Sequence, residues 1–409
     1  MTKYITLLLF LIGNLLSAQI TFTNYTADDG LVNNFVNAVS TDSEDNVWFG
    51  TQEGVSRFDG TTFTNYTTDT HPELVSNTVT AVFADADGAV WIGTDFGLNK
   101  FDGTTWLTYT DENGLADNRV KHINQSTDGR IWVANQDGIS ILTPDDGSWV
   151  SYIMADGIPF GGTNYVAFTA DGTALLSTPL SGVLAFDDTN LTAITEEEGL
   201  LSDNVRSVAV APDNNIWIGT ADGISVFDAQ YNFLTHHEII FELPPPDELN
   251  PVEDIVISAG GRVWAAVYID YLVTEGGLST HAGSGWTDYD TEDGLVSPVV
   301  RRLAFDSAGS LWVAASGGVS RLTNLPNAVY TAETDRALLL FPNPTEAIIQ
   351  LSVPTTLLGE NYAVFDQTGR LRATGLVQTD AQNIDLSILP AGVYVLTVGG
   401  VYRRRVVKM

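Results

Sequence analysis

The sequence predicts an all-β fold, a seven-bladed β-propeller followed by a small Ig-like β-sandwich, and three observations lead to that prediction. A unit of about 42 residues occurs seven times between residues 20 and 325. Each unit holds four short runs rich in β-branched and aromatic residues, separated by Asp and Gly turns, which is typical of four antiparallel strands. The last part of the chain, from about residue 338, loses this period but keeps short alternating runs.

The seven units align on a tryptophan that follows an acidic turn. The clearest copy has Val79–Phe83 as its first strand, a turn at Asp85–Gly88 and Val90–Thr94 as its second strand. The aligned positions are Trp48, Trp91, Trp132, Leu175, Trp217, Trp264 and Trp312. One four-stranded sheet cannot cover both of its faces, so each unit needs two neighbours and a closed ring of seven satisfies all of them.

The two ends of the repeat region indicate how the ring closes. The seventh unit stops after its third strand, at Val319–Leu322. An extra segment, Ile20–Tyr25, precedes the first unit and nearly duplicates the fourth strand at Thr62–Tyr66. We therefore predict that residues 20–25 form the outer strand of the last blade, which also covers an exposed sheet edge.

Composition excludes several classes of function. The chain has 51 acidic and 18 basic residues and a formal charge of −33, which disfavours nucleic acid and anionic membrane surfaces as partners. It has no cysteine, which excludes disulfides and cysteine-ligated metals. Residues 1–18 read as a signal peptide cut after Ala18, and no later run is long and apolar enough to span a membrane. We expect a monomer.

The propeller repeats carry a family resemblance. Residues 48–51, 91–94 and 217–220 read Trp-Phe/Ile-Gly-Thr and are followed by Phe-Asp-Gly turns or Asp/Asn-Gly-Leu loops in several units. This pattern resembles the repeat of two-component regulator propellers, which lie in the periplasmic sensors of hybrid histidine kinases of Bacteroidetes-type bacteria. The resemblance implies ligand sensing, but direct signalling does not carry over because the chain has neither a transmembrane helix nor a kinase domain.

The C-terminal part predicts a second domain, residues 338–409, after a linker at 326–337. Its Pro-Asn-Pro opening, its Leu-Pro-Ala-Gly-Val-Tyr string and its basic last strand resemble the type A sorting domain of the type IX secretion system. The matching positions are Pro342, Asn343, Pro344, Gly392, Tyr394 and Lys408. The resemblance implies that the type IX machinery is a partner and that the protein is secreted or displayed on the surface of a Gram-negative bacterium.

Catalytic motifs are scarce. None of the four lysines follows a glycine, so no phosphate-binding Gly-Lys loop is present, and the sequence has no Gly-x-Ser-x-Gly or His-Glu-x-x-His motif. Only His236 and His237 are adjacent, and neighbours on a strand point to opposite faces, so we expect solvated histidines at a strand end. The acidic turns lack a complete calcium-loop spacing. We expect no cofactor, with adventitious Ca²⁺ binding left open.

Two long insertions suggest a binding site at the sixth blade. One lies in the connection before that blade and the other between its second and third strands, and both emerge on the same face of a propeller. Their aromatic and carboxylate side chains suit a sugar or a peptide. The candidate ligand-binding residues are Tyr268, Asp270, Tyr271, Glu275 and Asp247.

Two functions remain open at this point. The first is a non-catalytic binding module for a glycan or peptide, outside the cell. The alternative is an extracellular lyase or glycosidase; a lyase needs a Tyr or His base beside a cation, and the inserted loops contain no basic residue. We therefore lean against an enzyme. Acidic loops such as Asp28-Asp29 and Glu196–Glu198 predict a negative rim that favours neutral, cationic or metal-bridged ligands.

Overall fold

A computed structural model describes most of the chain outside its first nineteen residues. The described ranges are 20–144, 147–241, 250–268, 275–281, 285–326, 339–341, 345, 347–353, 357–366, 370–379, 381–398 and 402–409. The predicted signal peptide, and the predicted linker apart from Pro326, lie outside them.

Seven antiparallel sheets of four strands each occupy residues 21–323. The first strand of the chain, β1 (Thr21–Tyr25), belongs to the last sheet. Blade 1 contains β2 (Val36–Thr41), β3 (Val47–Thr51), β4 (Gly54–Phe58) and β5 (Phe63–Tyr66). Blade 2 contains β6 (Val79–Ala84), β7 (Val90–Thr94), β8 (Gly97–Phe101) and β9 (Trp106–Tyr109). Blade 3 contains β10 (Val120–Gln125), β11 (Ile131–Asn135), β12 (Gly138–Thr143) and β13 (Ser148–Ile153).

The remaining blades repeat the same order. Blade 4 contains β14 (Tyr165–Phe168), β15 (Ala174–Ser177), β16 (Val183–Phe186) and β17 (Leu191–Ile194). Blade 5 contains β18 (Val205–Val210), β19 (Ile216–Thr220), β20 (Gly223–Phe227) and β21 (Phe233–His237). Blade 6 contains β22 (Val252–Ile257), β23 (Val263–Tyr268), β24 (Gly276–His281) and β25 (Trp286–Tyr289). Blade 7 contains β26 (Val300–Phe305), β27 (Leu311–Ala315) and β28 (Gly318–Thr323) together with β1. Short 3₁₀ turns at Ala27–Asp29 and Met154–Asp156 lie in two of the connections between blades.

The first strands of the blades form the inner wall of a closed ring. Each first strand contacts the first strand of the next blade, from β2 and β6 onward, and the contact between β26 and β2 completes the circle. The chain therefore encloses a central channel that seven inner strands surround, as expected for a seven-bladed propeller.

Strand β1 closes blade 7 by antiparallel pairing with β28, in register from Thr21 opposite Thr323 to Tyr25 opposite Val319. This is the pairing that the duplicated Thr-Asn-Tyr segment predicts. The side chain of Asn24 accepts a hydrogen bond from the Ser320 hydroxyl at 2.7 Å. The Tyr25 ring stacks on Trp312, with ring centroids 5.8 Å apart.

The repeated tryptophans pack between blades. Five of them are almost completely buried, and Leu175 takes the same place in blade 4 and is also fully buried. The small residues beside them make room for the neighbouring blade: a Cβ added to Gly50 would lie 2.6 Å from Cγ1 of Val79 on the next inner strand. The register of Trp and Gly is thus fixed by close packing between sheets.

The C-terminal region forms two facing sheets. The strands are β29 (Leu339–Phe341), β30 (Ile348–Ser352), β31 (Asn361–Asp366), β32 (Leu371–Leu376), β33 (Ala381–Asp385), β34 (Gly392–Val398) and β35 (Tyr402–Lys408). One sheet has the order β29-β30-β33 and the other β32-β31-β34-β35. Alternate apolar residues of both sheets, such as Ile349, Val364 and Leu396, form one buried core, so the region is an Ig-like sandwich.

Candidate functional site

The loops between second and third strands and the connections from one blade to the next emerge on one side of the ring, which we call the loop face. The connections are held by a repeated contact in which a buried third-strand side chain accepts a backbone N–H from 24 residues earlier. Ser56 accepts from Val32 at 2.9 Å, and Ser225 accepts from Leu201 at 3.0 Å. These contacts fix the connections on a rigid scaffold, where binding residues are commonly found.

The structure describes only two of the five predicted ligand-binding residues. Tyr268 ends β23 and is buried, with the Arg301 guanidinium 5.9 Å from its ring centroid. Glu275 precedes β24 and is half-buried. Asp247, Asp270 and Tyr271 lie outside the described residues, so the predicted constellation stays a prediction. Tyr268 itself has its ring enclosed rather than presented to a ligand.

An opening lies at the centre of the loop face, where the central channel reaches the surface. We call this opening the channel mouth; it has a volume of about 450 Å³. It is lined by residues of blades 2 to 7, namely Thr80, Asp95, Arg119, Val120, Lys121, Gln136, Asn164, Asn204, Arg206, Glu253 and Arg302. Four of these side chains are cationic and two are carboxylates, so the mouth has a net positive lining in a strongly acidic protein.

Several lining residues at or near the start of an inner strand bind to the next blade around the channel. The Thr80 hydroxyl donates to the Val120 carbonyl at 2.6 Å. The Asn164 amide donates to the Val205 carbonyl at 3.0 Å. The Arg206 guanidinium forms an ion pair with Glu253. Because each contact joins two blades, the mouth is preorganised by the same bonds that hold the ring together.

Lys121 lies between two neutral acceptors of the next blade. Its ammonium donates to the Gly161 carbonyl and to the Asn164 side-chain oxygen, both at 3.0 Å, and both acceptors are neutral. Enclosure by the mouth, followed by the nearby Arg119 cation, lowers the pKa of Lys121. An ammonium has three N–H donors, so one remains for a group that enters the mouth.

Arg119 has a carboxylate partner but remains half exposed. Its Nε donates to Asp117 at 3.1 Å, while 53% of its side-chain surface stays accessible. The ion pair with Asp117 raises the pKa of Arg119. Its remaining guanidinium N–H groups can therefore reach a ligand without breaking a buried contact.

Eight of the ten basic residues of the propeller fall into two groups with different roles. Four of them lie over the repeated tryptophans as cation–π partners, at 5.0 to 5.8 Å from the ring centroids: Arg57, Lys100, Arg130 and Arg321. Arg262 donates to the Thr280 hydroxyl at 3.3 Å. Arg301 lies against the Tyr268 ring, 5.9 Å from its centroid. The other four line the channel mouth: Arg119, Lys121, Arg206 and Arg302. Four of the ten cations of this domain are therefore concentrated at one opening.

Below the mouth, the channel continues into a cavity of about 180 Å³ that shares Thr80, Lys121 and Arg302 with it. Its titratable groups form one stack. The His122 ring lies on the Tyr165 ring with centroids 3.7 Å apart, and the Arg302 guanidinium lies 5.8 Å from the Tyr165 centroid. Asp254 is buried, and its carboxylate accepts the Leu303 N–H at 2.8 Å and the Tyr165 hydroxyl.

The interior groups are held in unreactive states. Burial, and then the Asp254 carboxylate, raise the pKa of Tyr165, and burial also raises the pKa of Asp254 against the opposing effect of Arg302. The enclosure of His122, with a smaller effect of Arg302, holds its pKa well below its usual range. Nδ1 of His122 accepts the Val166 N–H at 3.3 Å, so the ring is neutral with its proton on Nε2.

The adjacent histidines lie at the end of β21, as expected, and point to different surroundings, as strand geometry predicts; both are half-buried. His236 contacts the Gly199 carbonyl at 2.7 Å, and His237 stacks on Trp217 with centroids 5.2 Å apart. His236 therefore packs on the connection between blades 4 and 5, whereas His237 packs at the border of blades 5 and 6, near His281 and Trp286. No group of three or more potential metal-ligating side chains occurs in the parts of the chain that the structure describes.

Sequence reasoning missed the channel mouth. The repeat contained a signal for it: a basic residue follows the first valine of the inner strand in Val120-Lys121 and Val205-Arg206, and both basic residues line the mouth. In the total charge and in the loops, however, acidic residues dominate. The acidic loops at Asp28–Asp29 and Glu196–Glu198 are exposed on the loop face, so a negative rim surrounds a positive centre.

The C-terminal domain brings three of the six predicted sorting residues together. Gly392 pairs with Lys408, and Tyr394 pairs with Val406 across β34 and β35. The Tyr394 hydroxyl donates to the Pro390 carbonyl at 2.8 Å. Pro342, Asn343 and Pro344 lie outside the described residues.

Two families match parts of the chain. Residues 30–53, 73–96 and 199–222 match the family described as two component regulator propeller. Residues 339–409 match the family described as secretion system C-terminal sorting domain. The chain therefore carries regulator-propeller repeats and a type IX sorting domain, which confirms both resemblances.

The sorting domain directs export by the type IX machinery, so the protein is secreted or displayed at the cell surface. Within the described ranges, no helix has the length and apolarity to cross a membrane.

Several solved structures share the fold. The extracellular domain of a hybrid two-component system from B. thetaiotaomicron has a TM-score of 0.63 and 20% identity, covering 88% of this chain and 50% of that one. PorZ, a surface component of the type IX secretion system of Porphyromonas gingivalis, has a TM-score of 0.59 and 18% identity, covering 94% and 61%. Virginiamycin B lyase from Staphylococcus aureus with quinupristin has a TM-score of 0.58 and 15% identity, covering 75% and 99%.

This chain spans only half the length of the first of these proteins and 61% of the second. At such identities the likeness shows the fold alone. No curated protein sequence matches the chain.

Proposed function

We propose that the propeller is a non-catalytic binding module that acts outside the cell and holds a glycan or peptide ligand at the channel mouth. The observation that carries this proposal is the concentration of Arg119, Lys121, Arg206 and Arg302 at one opening of a domain with 44 acidic and 10 basic residues. Cations brought together in this way repel one another. A cluster of them is therefore typical of a site that attracts a ligand with an anionic group.

The size and position of the mouth support the same proposal. A volume of about 450 Å³ lies in the range of small-molecule sites and holds one or two residues of a polymer. The mouth is at the centre of the loop face, so a longer ligand can extend over the connections between blades. The known propeller that is similar in fold and contains quinupristin shows that such a scaffold can hold a ligand.

The alternative function is a polysaccharide lyase, and the channel supplies the cations that such a site needs and that the inserted loops lack. Among the residues that the structure describes, Tyr165 and His122 are the Tyr and His side chains that line the two channel cavities, and both lie near Arg302. A lyase base must accept a proton from substrate. Nδ1 of His122 already accepts the Val166 N–H, and Tyr165 donates to Asp254 with a raised pKa. The channel geometry therefore favours binding over proton abstraction.

The test uses the purified mature protein on arrays of polysaccharides and peptides, scored both for retention and for cleavage. We expect retention of a ligand without cleavage. Lys121→Met should abolish the retention, whereas Lys100→Met, which removes the same charge from a site over Trp91, should leave it unchanged. Cleavage products that disappear in His122→Gln would establish the enzyme alternative instead.

A further inference from the structure

The loop face carries exposed apolar side chains beside the channel mouth. Among the described residues of the propeller, four large apolar side chains are more than 60% exposed: Phe96 (64%), Phe160 (75%), Leu180 (66%) and Ile239 (66%). All four lie in second-to-third-strand loops or in connections between blades, and therefore on the loop face. Exposed apolar groups collected on one side of a soluble domain mark an interaction surface.

Three of these side chains are next to residues of the mouth. Phe96 follows Asp95, which lines the mouth. Phe160 precedes Gly161, whose carbonyl accepts the Lys121 ammonium. The loop that carries Leu180 is bonded through Gly182 N–H to the carbonyl of Asp203, next to the lining residue Asn204. These three apolar side chains therefore stand on segments that adjoin the channel mouth.

The chemistry of this surface favours a polypeptide over a glycan. Leu180 has no ring to stack on a sugar, and Leu180, Phe96 and Phe160 all pack well against apolar amino-acid side chains. The cationic mouth adds a requirement for one anionic group of small size. Lys121 and Arg119 retain N–H donors for such a group, and carboxylates form strong charge-assisted hydrogen bonds with them.

The acidic rim favours a ligand whose carboxylate lies at one end. Exposed carboxylates at Asp28–Asp29, Asp111–Glu112 and Glu196–Glu198 surround the positive centre and repel a ligand with many negative charges. A single carboxylate at the end of an apolar or basic segment meets the centre without facing the rim. A C-terminal carboxylate has this arrangement.

From this surface we infer that the ligand is the C-terminal segment of a polypeptide, with its terminal carboxylate held at the channel mouth by Lys121 and Arg119 and its preceding apolar side chains on Phe96, Phe160 and Leu180. This inference rests on the proposed function and specifies its ligand class. The carboxylate is the anchoring group, and the apolar contacts provide the preference for particular peptides.

The experiment measures retention of a fluorescent hexapeptide library with apolar residues at its last three positions. The library is presented in three forms: with a free terminal carboxylate, as the C-terminal amide, and as the amide with one internal glutamate. An oligogalacturonate serves as a fourth probe, because a uronate offers the same carboxylate from a glycan. We expect the free-acid form to bind at least tenfold more tightly than both amides and the oligogalacturonate.

Variants separate the two parts of the surface. Lys121→Met and Arg119→Gln should each weaken free-acid binding tenfold or more and remove the difference between acid and amide. Phe160→Ser should weaken both forms equally, and Lys100→Met should change neither. Because Lys121 also joins two blades, the exposed Arg119 provides the variant that leaves packing intact, and unfolding midpoints verify the fold of each.

The outcomes distinguish this inference from the proposed function. Equal binding of acid and amide, or stronger binding of the internal glutamate form, overturns the terminal-carboxylate assignment. Lys121-dependent binding of oligogalacturonate or of a neutral glycan, without peptide binding, overturns the inference and keeps the proposed binding site. Binding that none of the mouth variants changes contradicts both.

Discussion

The carboxylate of Asp85 accepts a hydrogen bond from the indole N–H of Trp91, six residues later, at 2.8 Å. The second carboxylate oxygen accepts the Ala89 N–H at 2.8 Å and so closes the turn between the first two strands of blade 2. The same relation occurs between Asp306 and Trp312 in blade 7. The acidic turn and the repeated tryptophan are therefore one structural unit, because the turn supplies the acceptor that a buried indole requires.

This relation predicts that Asp85→Ala destabilises the propeller. Both the Trp91 indole and the Ala89 N–H would lose their acceptor in a buried position, and we expect a loss of about 2–3 kcal/mol in the free energy of unfolding. Denaturant unfolding followed by tryptophan fluorescence measures it. Asp87→Ala removes a carboxylate from the exposed side of the same turn and should change stability by less than about 0.5 kcal/mol. Equal effects of the two variants would show that charge in the turn, and not the indole contact, matters.

Packing between blades predicts a second effect. In Gly50→Ala the new methyl group would lie 2.6 Å from Cγ1 of Val79, which is fully buried on the next inner strand. We expect a loss of about 1–3 kcal/mol from this overpacking. Val79→Ala in the same chain removes the clashing methyl groups, so the double variant should be more stable than the sum of the two single effects. Additive effects in a double-mutant cycle would contradict the packing explanation.

Much of the fold could be predicted because it depends on short-range features that recur. The Asp-to-Trp spacing, the β-branched runs and the Gly turns specify a blade, and seven copies specify a closed ring. The segment Ile20–Tyr25 could be recognised as a displaced fourth strand because it nearly duplicates Thr62–Tyr66. In the structure, Asn24 accepts a hydrogen bond from Ser320 as Asn65 does from Ser56 in blade 1. Local identity was therefore enough to predict a pairing between residues about 300 positions apart.

The candidate site could not be predicted in the same way, because it depends on which residues the ring brings together. Lys121, Arg206 and Arg302 come from blades 3, 5 and 7 and are far apart in sequence. Each reads alone as one cation among many acidic residues. The total charge gives no sign of these cations, since acidic loop residues outnumber them and lie on the same face. The binding site predicted at blade 6 rested on the length of two insertions, and length carries no information about where side chains point.

Closure of the ring through β1 predicts that single contacts of this strand are important. Tyr25 stacks on Trp312 and approaches Phe58 of blade 1 with ring centroids 5.0 Å apart, so it joins the last and first blades. Because the aromatic ring of Tyr25 is half-buried, we expect Tyr25→Ala to lower the free energy of unfolding by about 2 kcal/mol. We also expect it to increase cleavage near the N-terminus by added protease. Thr23→Ala, at an exposed position of the same strand, is the control and should behave as the unchanged protein. Unaltered protease resistance of Tyr25→Ala would mean that backbone pairing alone closes the ring.

The channel interior makes stability depend on pH through His122. In the folded chain its enclosure keeps the ring neutral, so its pKa lies well below the ordinary value of 6.5. The unfolded chain takes up a proton as the pH falls through 6.5, whereas the folded chain does so only at lower pH. Protonation therefore favours the unfolded state over this interval, and the stabilisation that is present above pH 6.5 is lost as the pH falls.

Unfolding at pH 7.0 and pH 5.5 tests this contribution. We expect the free energy of unfolding to fall on acidification, with a His122 contribution of up to about 1.4 kcal/mol for each pH unit below 6.5. His122→Gln keeps an acceptor for the Val166 N–H and cannot be protonated, so its unfolding free energy should fall less steeply over the same interval. The carboxylates of Asp254 and other acidic residues contribute their own slope in both proteins, so the difference between the two slopes isolates the histidine. Parallel slopes would show that His122 takes up its proton in the folded channel, which would require the Arg302 guanidinium and the enclosing walls to move away from the ring.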